Sequence, residues 1–314
     1  MSAISTNVVQ AAGDRDRRSL TGLLSHHGFV WGLLAPALIF FCIFNVIPLI
    51  WMVGLSFYNY ALTTGSPPVY TGLGNYMSLL ANISDWSAFS RTFVFMLLTV
   101  SLSGLIGSLL GLFFWGSKGL PGRRIALTML FTPMLLTPAS VGVFFSLMLN
   151  PNFGVISYIA QLITGERAAF LSHPTSAQAV VLLVDVWMWT PFMTLITLAA
   201  LASVPQAELE AARVDRLGWF TILKRVIFPH AKFILMLGLL LRTIDAFKTT
   251  DIVLLLTHGG PGSSTELLGM RIYRLGFNSL DMGSASTMGV VALIIAIGFT
   301  SLYLYVLSLR RVET

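Results

Sequence analysis

Six stretches of about 20 or more apolar residues, each bounded by charge or turn residues, constrain this sequence more than any other feature. They cover residues 31–58, 93–115, 125–149, 178–204, 233–256 and 283–309. A helix rises about 1.5 Å per residue and a bilayer core is about 30 Å thick, so each stretch is long enough to cross. The surrounding composition agrees: of 314 residues 55% are hydrophobic and only 10% charged, and the mean hydropathy is +0.81. A chain that folds in water does not carry that balance. The sequence predicts an all-α integral membrane protein with six transmembrane helices.

Arg15, Arg17 and Arg18 precede the first stretch as they would in a signal peptide. The stretch is longer than an h-region, however, and no small-residue cleavage site follows, so it is expected to stay in the protein as a helix. Residues 1–28 then read as a cytoplasmic amino-terminal arm and 29–314 as one six-helix domain. A single cysteine, Cys42, excludes a disulfide within the chain. The net charge of +6 and pI near 9.7 could suit nucleic acid, but the cations sort by membrane side. Loops on one side carry thirteen, from Arg15 through Lys118, Arg123, Arg213 and Lys232 to Arg311, and the opposite loops carry Arg91, Arg167, Arg271 and Arg274. Both termini are therefore expected in the cytoplasm, with lipid as the partner and no nucleic acid.

Several chemistries are missing from the sequence. No lysine follows a glycine, so there is no phosphate loop of the Walker A kind, and any ATP must be bound elsewhere. The five histidines have no metal-binding spacing, and no Gly-x-Ser-x-Gly elbow occurs. No catalytic residue and no metal site is expected.

Charges inside the apolar stretches are costly and mark candidate sites. The fifth stretch carries Arg242, Asp245, Lys248 and Asp251 at spacings of three with alternating sign. Counted from Phe233, Arg242 lies roughly 14 Å into the membrane. Two roles fit: a self-neutralising ladder that only aids packing, or a polar wall of a transport path whose carboxylates accept bonds from hydroxyl groups. Asp245, Asp251, Lys248 and the neighbouring Phe247 are the candidates for the second role. The fourth stretch adds Asp185 and Trp189, ahead of Pro191; the tryptophan could stack on a sugar ring or anchor at the membrane interface.

The segment 205–232, between the fourth and fifth stretches, is long and patterned for a connector. Pro205 with an acidic first turn marks a helix start, and Leu209, Ala212, Val214 and Leu217 could face a partner. Its Glu210-Ala211-Ala212, Asp215 and downstream Pro229 resemble the EAA loop of binding-protein-dependent ABC importer permeases. That loop usually has glycine after the aspartate, where this chain has Arg216, with Gly218 two positions on. A second segment, Leu256-Thr257-His258-Gly259-Gly260-Pro261, resembles the Leu-Thr-x-Gly-Gly-Pro outer turn of the maltose and glycerol-phosphate branch. Residues 44–60, 72–76, Trp189 to Met193 and Gly283-Ser284-Ala285 agree with that branch, so the resemblance spans 44–309.

The resemblance implies a type I (MetI-like) permease in a bacterial inner membrane, importing a sugar or polyol by alternating access. Glu210, Ala211, Ala212, Asp215, Arg216 and Gly218 would meet a separate ATPase, two copies of which would hold ATP and Mg. A second permease subunit, as a heterodimer, and a periplasmic or lipid-anchored substrate-binding protein are the other partners implied. The competing reading is an ion-coupled secondary transporter, in which the charges of the fifth stretch relay protons or sodium.

Overall fold

The computed structural model describes residues 30–117 and 119–309, so the arm expected over 1–28 lies outside the described residues. The chain divides at Leu55 into two units. The first contains α1 (Val30–Leu55), an apolar helix with a mean hydropathy of 2.5. A π turn over Cys42–Val46 widens α1 just ahead of Pro48, whose ring and missing N–H disturb the regular ladder.

The second unit opens with an antiparallel hairpin, β1 (Tyr58–Asn59) against β2 (Val69–Tyr70), in which Tyr58 opposes Tyr70. Helices follow: α2 (Gly74–Ala81), α3 (Ile83–Gly116), α4 (Arg123–Leu135), α5 (Pro138–Met148), α6 (Val155–Thr164) and α7 (Pro174–Ala202). The remainder is α8 (Gln206–Val214), α9 (Trp219–Phe247), α10 (Asp251–Leu256), α11 (Leu268–Tyr273) and α12 (Met282–Leu309). Among the described residues α1, α3, α7, α9 and α12 are long and apolar enough to cross a membrane, and α4 with α5 forms a sixth span if the bent pair is counted as one.

Three spans differ from the apolar stretches. Helix α3 starts at Ile83 rather than near residue 93, because the Asn82 side chain accepts from the Ser84 N–H at 2.9 Å and Asp85 sits in the first turn. The stretch 125–149 is not one helix: α4 and α5 meet at a bend of 98°. Pro138 excludes Thr137 from helical geometry (ψ 144°), and the Thr137 hydroxyl then caps α5 by accepting from the Ser140 N–H at 3.2 Å. The stretch 233–256 is also interrupted. Helix α9 ends at Phe247, and α10 begins at Asp251 after a non-helical Lys248-Thr249-Thr250.

The threonine pair explains how this second break is tolerated. Thr249 Oγ1 donates to the Asp245 carbonyl (3.2 Å) and Thr250 Oγ1 to the Lys248 carbonyl (3.1 Å), so the side chains occupy acceptors at the interruption. The charge ladder is consequently divided between elements: Arg242 and Asp245 lie on α9, Lys248 caps it, and Asp251 opens α10.

Packing is led by α3 against α7. Ser103, Gly107 and Gly111 line the contact; a Cβ on Gly107 would stand 2.9 Å from the Thr194 nitrogen and one on Gly111 2.6 Å from Thr197. Only very small residues allow that approach. Buried side chains form three clusters. Val141, Val184 and Ile252 join α5, α7 and α10; Met96, Phe247 and Met288 join α3, α9 and α12; Leu201, Leu209 and Ile227 tie α8 to the ends of α7 and α9.

Candidate functional site

The site is built around Arg242, whose side chain is wholly buried on α9. It pairs with Asp185 of α7, also wholly buried, and lies 3.4 Å from an Asp245 carboxylate oxygen. Its Nε donates to Ser103 Oγ of α3 at 3.4 Å, and the guanidinium sits 5.5 Å from the centre of the Trp189 ring. Three spans are thus held by one cation. A buried pair of this kind is stable only while both partners remain, since either charge alone would be left without water.

Asp245 turns from this buried pair toward an open cavity of about 210 Å³. Lys248 stands on its other side, 3.8 Å away and largely exposed. The cavity is lined by Pro138, Trp189, Asp245, Lys248, Thr249, Thr250, Asp251 and Ile252. Both interruptions of the bundle, the one before Pro138 and the one at Lys248–Thr250, therefore border the same cavity. Irregular backbone at membrane depth is tolerated where it lines such a space. Hydroxyls of Thr249 and Thr250, two carboxylates, an ammonium and an indole face give this small volume the groups that recognise a polyhydroxylated molecule.

The structure brings together Trp189, Asp245, Lys248 and Asp251 at this cavity. Asp185 is one layer behind, bound to Arg242. Phe247 is elsewhere: it is buried against Met96, Leu268 and Met288, with its ring 5.8 Å from that of Phe299, and lines no part of the cavity. The reason is angular, since two residues beyond Asp245 on a helix lies on nearly the opposite face. Pro138, Thr249 and Thr250 line the cavity as well, beyond the residues expected from the sequence. The signals were a Thr-Pro pair in mid-stretch and two adjacent threonines after a charged residue.

At the far end of the fifth span, α8 displays the Glu-Ala-Ala triplet. Leu209 and Ala212, three apart on one face, are both buried, and Leu209 packs against Leu201, Val204, Ile227 and Ala231. Ala212 and Leu209 therefore face this chain's own core and not a partner, contrary to the expectation from sequence. Glu210, Ala211, Asp215 and Val214 are exposed, and Leu217 is near the edge of exposure at 37%. Glu208 and His230 meet at 2.8 Å, a further tie between α8 and α9.

The helix ends in a complete Schellman turn. The Leu217 N–H donates to the Ala212 carbonyl (3.0 Å) and the Arg216 N–H to the Arg213 carbonyl (3.0 Å), while Arg216 adopts φ 53°. This is the left-handed position that glycine fills most easily, so Arg216 preserves the turn at a local conformational cost. Gly218 has ordinary extended geometry (φ −65°, ψ 151°) and caps the start of α9. At the opposite end of the span, Gly259 lies at φ 82° and Gly260-Pro261 is a cis peptide, forming the turn that follows α10.

Comparison with known proteins places these features in a wider group. The family described as binding-protein-dependent transport system inner membrane component matches residues 103–314. The trehalose/maltose transport system permease protein of Thermococcus litoralis is 30% identical over 282 residues, covering 89% of this chain and 93% of that protein. The sulfoquinovosyl glycerol transport system permease protein of Agrobacterium fabrum is 30% identical over 278 residues, 88% of this chain and 90% of its own. In fold, the chain is similar to one in the crystal structure of a bacterial ABC transporter involved in the import of alginate, with a TM-score of 0.76 at 22% identity over 91% of this chain and 98% of that one.

Proposed function

This chain belongs to the binding-protein-dependent transport system inner membrane component family, as a multi-pass membrane permease, and from that premise we propose that it lines half of the pore of an ATP-driven sugar or polyol importer. The observation that carries the proposal is the meeting of two interrupted spans at one polar cavity. Hydroxyl-rich substrates suit its donors and acceptors, and the relatives named for trehalose, maltose and sulfoquinovosyl glycerol support a carbohydrate.

In this reading the α8 end of the bundle is cytoplasmic, as are both termini. Two separate ATP-binding subunits hold ATP and Mg, and each engages a permease through the exposed face around Glu210, Ala211 and Asp215. A second, different permease completes the pathway, and a substrate-binding protein delivers the sugar at the Gly-Gly-Pro end. A solved complex of the alginate transporter with its substrate-bound periplasmic protein supports the last partner.

The mechanism follows from how the pieces are joined. Closure of the ATPases moves α8. Because Leu209 and the Glu208–His230 pair fasten α8 to the start of α9, the displacement passes into the fifth span. The break at Lys248–Thr250 separates that moving segment from α10, which packs on α5. The Asp245 and Trp189 side of the cavity can thereby shift against the Asp251 and Pro138 side, opening it alternately to each face. The secondary-transporter reading has no comparable support from the family.

Co-purification from the native membrane, with ATPase activity compared between wild type and Glu210→Ala, tests the proposal. Recovery of an ATPase and a second permease, with substrate-stimulated ATP hydrolysis lowered severalfold in the variant, is the expected result. Proton-driven sugar uptake by this chain alone would overturn it.

A further inference from the structure

A second cavity, about 330 Å³, lies between α3 and α7 at the Gly-Gly-Pro end of the bundle. Its polar end is set by Arg91 of α3, Gln178 of α7 and Ser264 of the loop after the turn. Its apolar walls are Val94 and Leu98 on α3 and Leu182 on α7. Arg91 and Gln178 fall where the apolar stretches of their helices begin, at 93 and 178, so the polar end is level with the membrane boundary. Leu98, seven residues further on, is about 10 Å deeper.

The charge balance of the surrounding ion cluster calls for an anion at this groove. Arg271 meets Asp85 at 2.9 Å and Arg274 meets Glu266 at 3.1 Å, whereas Arg91 has no carboxylate within ion-pair distance among the described residues. The Arg91 Nε is fixed by the Glu266 carbonyl at 3.0 Å, which holds the guanidinium at the groove. At the same end of the groove the Gln178 amide donates to the Ser264 carbonyl at 2.8 Å, tying α7 to the loop.

From this geometry we infer a phospholipid site: the phosphate lies against the Arg91 guanidinium, and an acyl chain runs down Val94, Leu98 and Leu182. The apolar walls select a lipid over a free anion, because the groove continues into the depth of the bilayer. Anionic headgroups are preferred, since Arg91 lacks a counter-charge. The bound lipid would brace α3, α7 and the loop carrying Ser264, and it is independent of which substrate the chain transports.

Native mass spectrometry of the assembled complex, purified in mild detergent and supplied with phosphatidylglycerol or phosphatidylcholine, tests the site without relying on uptake. Wild type is expected to retain one phosphatidylglycerol more tightly than phosphatidylcholine, and Arg91→Ala to reduce that retention about tenfold, the loss of one charge-assisted bond. Val94→Trp fills the groove without touching the Arg91–Glu266 bond, so it is expected to expel the lipid from a complex that still assembles; it decides the matter should Arg91→Ala fail to fold. Unchanged retention in Val94→Trp overturns the inference. So does binding of inorganic phosphate alone with equal affinity, or exclusive cross-linking of a Val94→Cys probe to another protein segment, either of which gives the groove a different occupant.

Discussion

The helix α8 and the interrupted fifth span are joined in sequence but solve opposite problems. Helix α8 is short and regular; it is closed by a full Schellman turn, buried along Leu209 and Ala212, and bare along Glu210 and Ala211. In the proposed mechanism its packed face and closed turn let it transmit force as a unit. The span above it is long but broken at Lys248–Thr250, beside a cavity and a buried arginine, where the polar groups outnumber those that a plain helix would need. The difference teaches that motion can be delivered at one place and used at another: a rigid handle at the surface and a compliant joint within the bilayer.

The largest expected effect breaks the joint's anchor. Arg242→Ala leaves Asp185 buried without its cation, a loss of about 3–5 kcal/mol, so thermal unfolding of the purified complex should shift far downward or assembly should fail. Replacing both members by apolar residues, Asp185→Leu with Arg242→Met, should recover most of that stability, as a packed pair of neutral side chains carries no desolvation cost. If the single and double variants are equally unstable, the ion pair is not what holds α7 to α9.

Next in size is Asp245→Asn, which removes a carboxylate from the cavity while leaving the Asp185–Arg242 pair intact. Loss of one charged hydrogen bond corresponds to roughly 10- to 100-fold, expected as a raised KM for uptake with normal complex assembly. Unaltered uptake kinetics would remove Asp245 from the path. Glu210→Ala, by contrast, sits on the exposed handle and should change stability by no more than about 0.5 kcal/mol while severalfold lowering substrate-stimulated ATP hydrolysis. A thermal shift without loss of coupling would reverse the contrast between the two regions.

The smallest effect is at the turn. Arg216→Gly relieves a left-handed backbone at an exposed position and should raise stability by at most about 1 kcal/mol, read as a small upward shift in Tm with coupling retained.

The rigid region was far more legible in sequence than the compliant one. Hydrophobic length exposes a span, and Pro205, the acidic first turn and the Glu-Ala-Ala triplet expose α8, because each is a local signal. The inward turn of Leu209 was not local, since it depends on Leu201, Ile227 and Ala231 arriving from two other elements. Spacing alone also made Arg242, Asp245, Lys248 and Asp251 look like one stripe. Their separation at Phe247 rests on two threonines that hold carbonyls at the break, and the partner of Arg242 lies 57 residues away on α7. The Thr137-Pro138 pair is the local signal of the bend, but the continuous apolar run 125–149 masks it as one span.

The central claim is that the cavity between the two breaks lies on the transport path. With Cys42→Ser as background, Thr250→Cys should react with a membrane-impermeant thiol reagent in the assembled complex. Transported sugar, supplied with its binding protein and ATP, should then slow that reaction by about tenfold or more, as occupancy excludes the reagent. Labelling at an unchanged rate, in a complex that still takes up sugar, would contradict the account and place the path elsewhere.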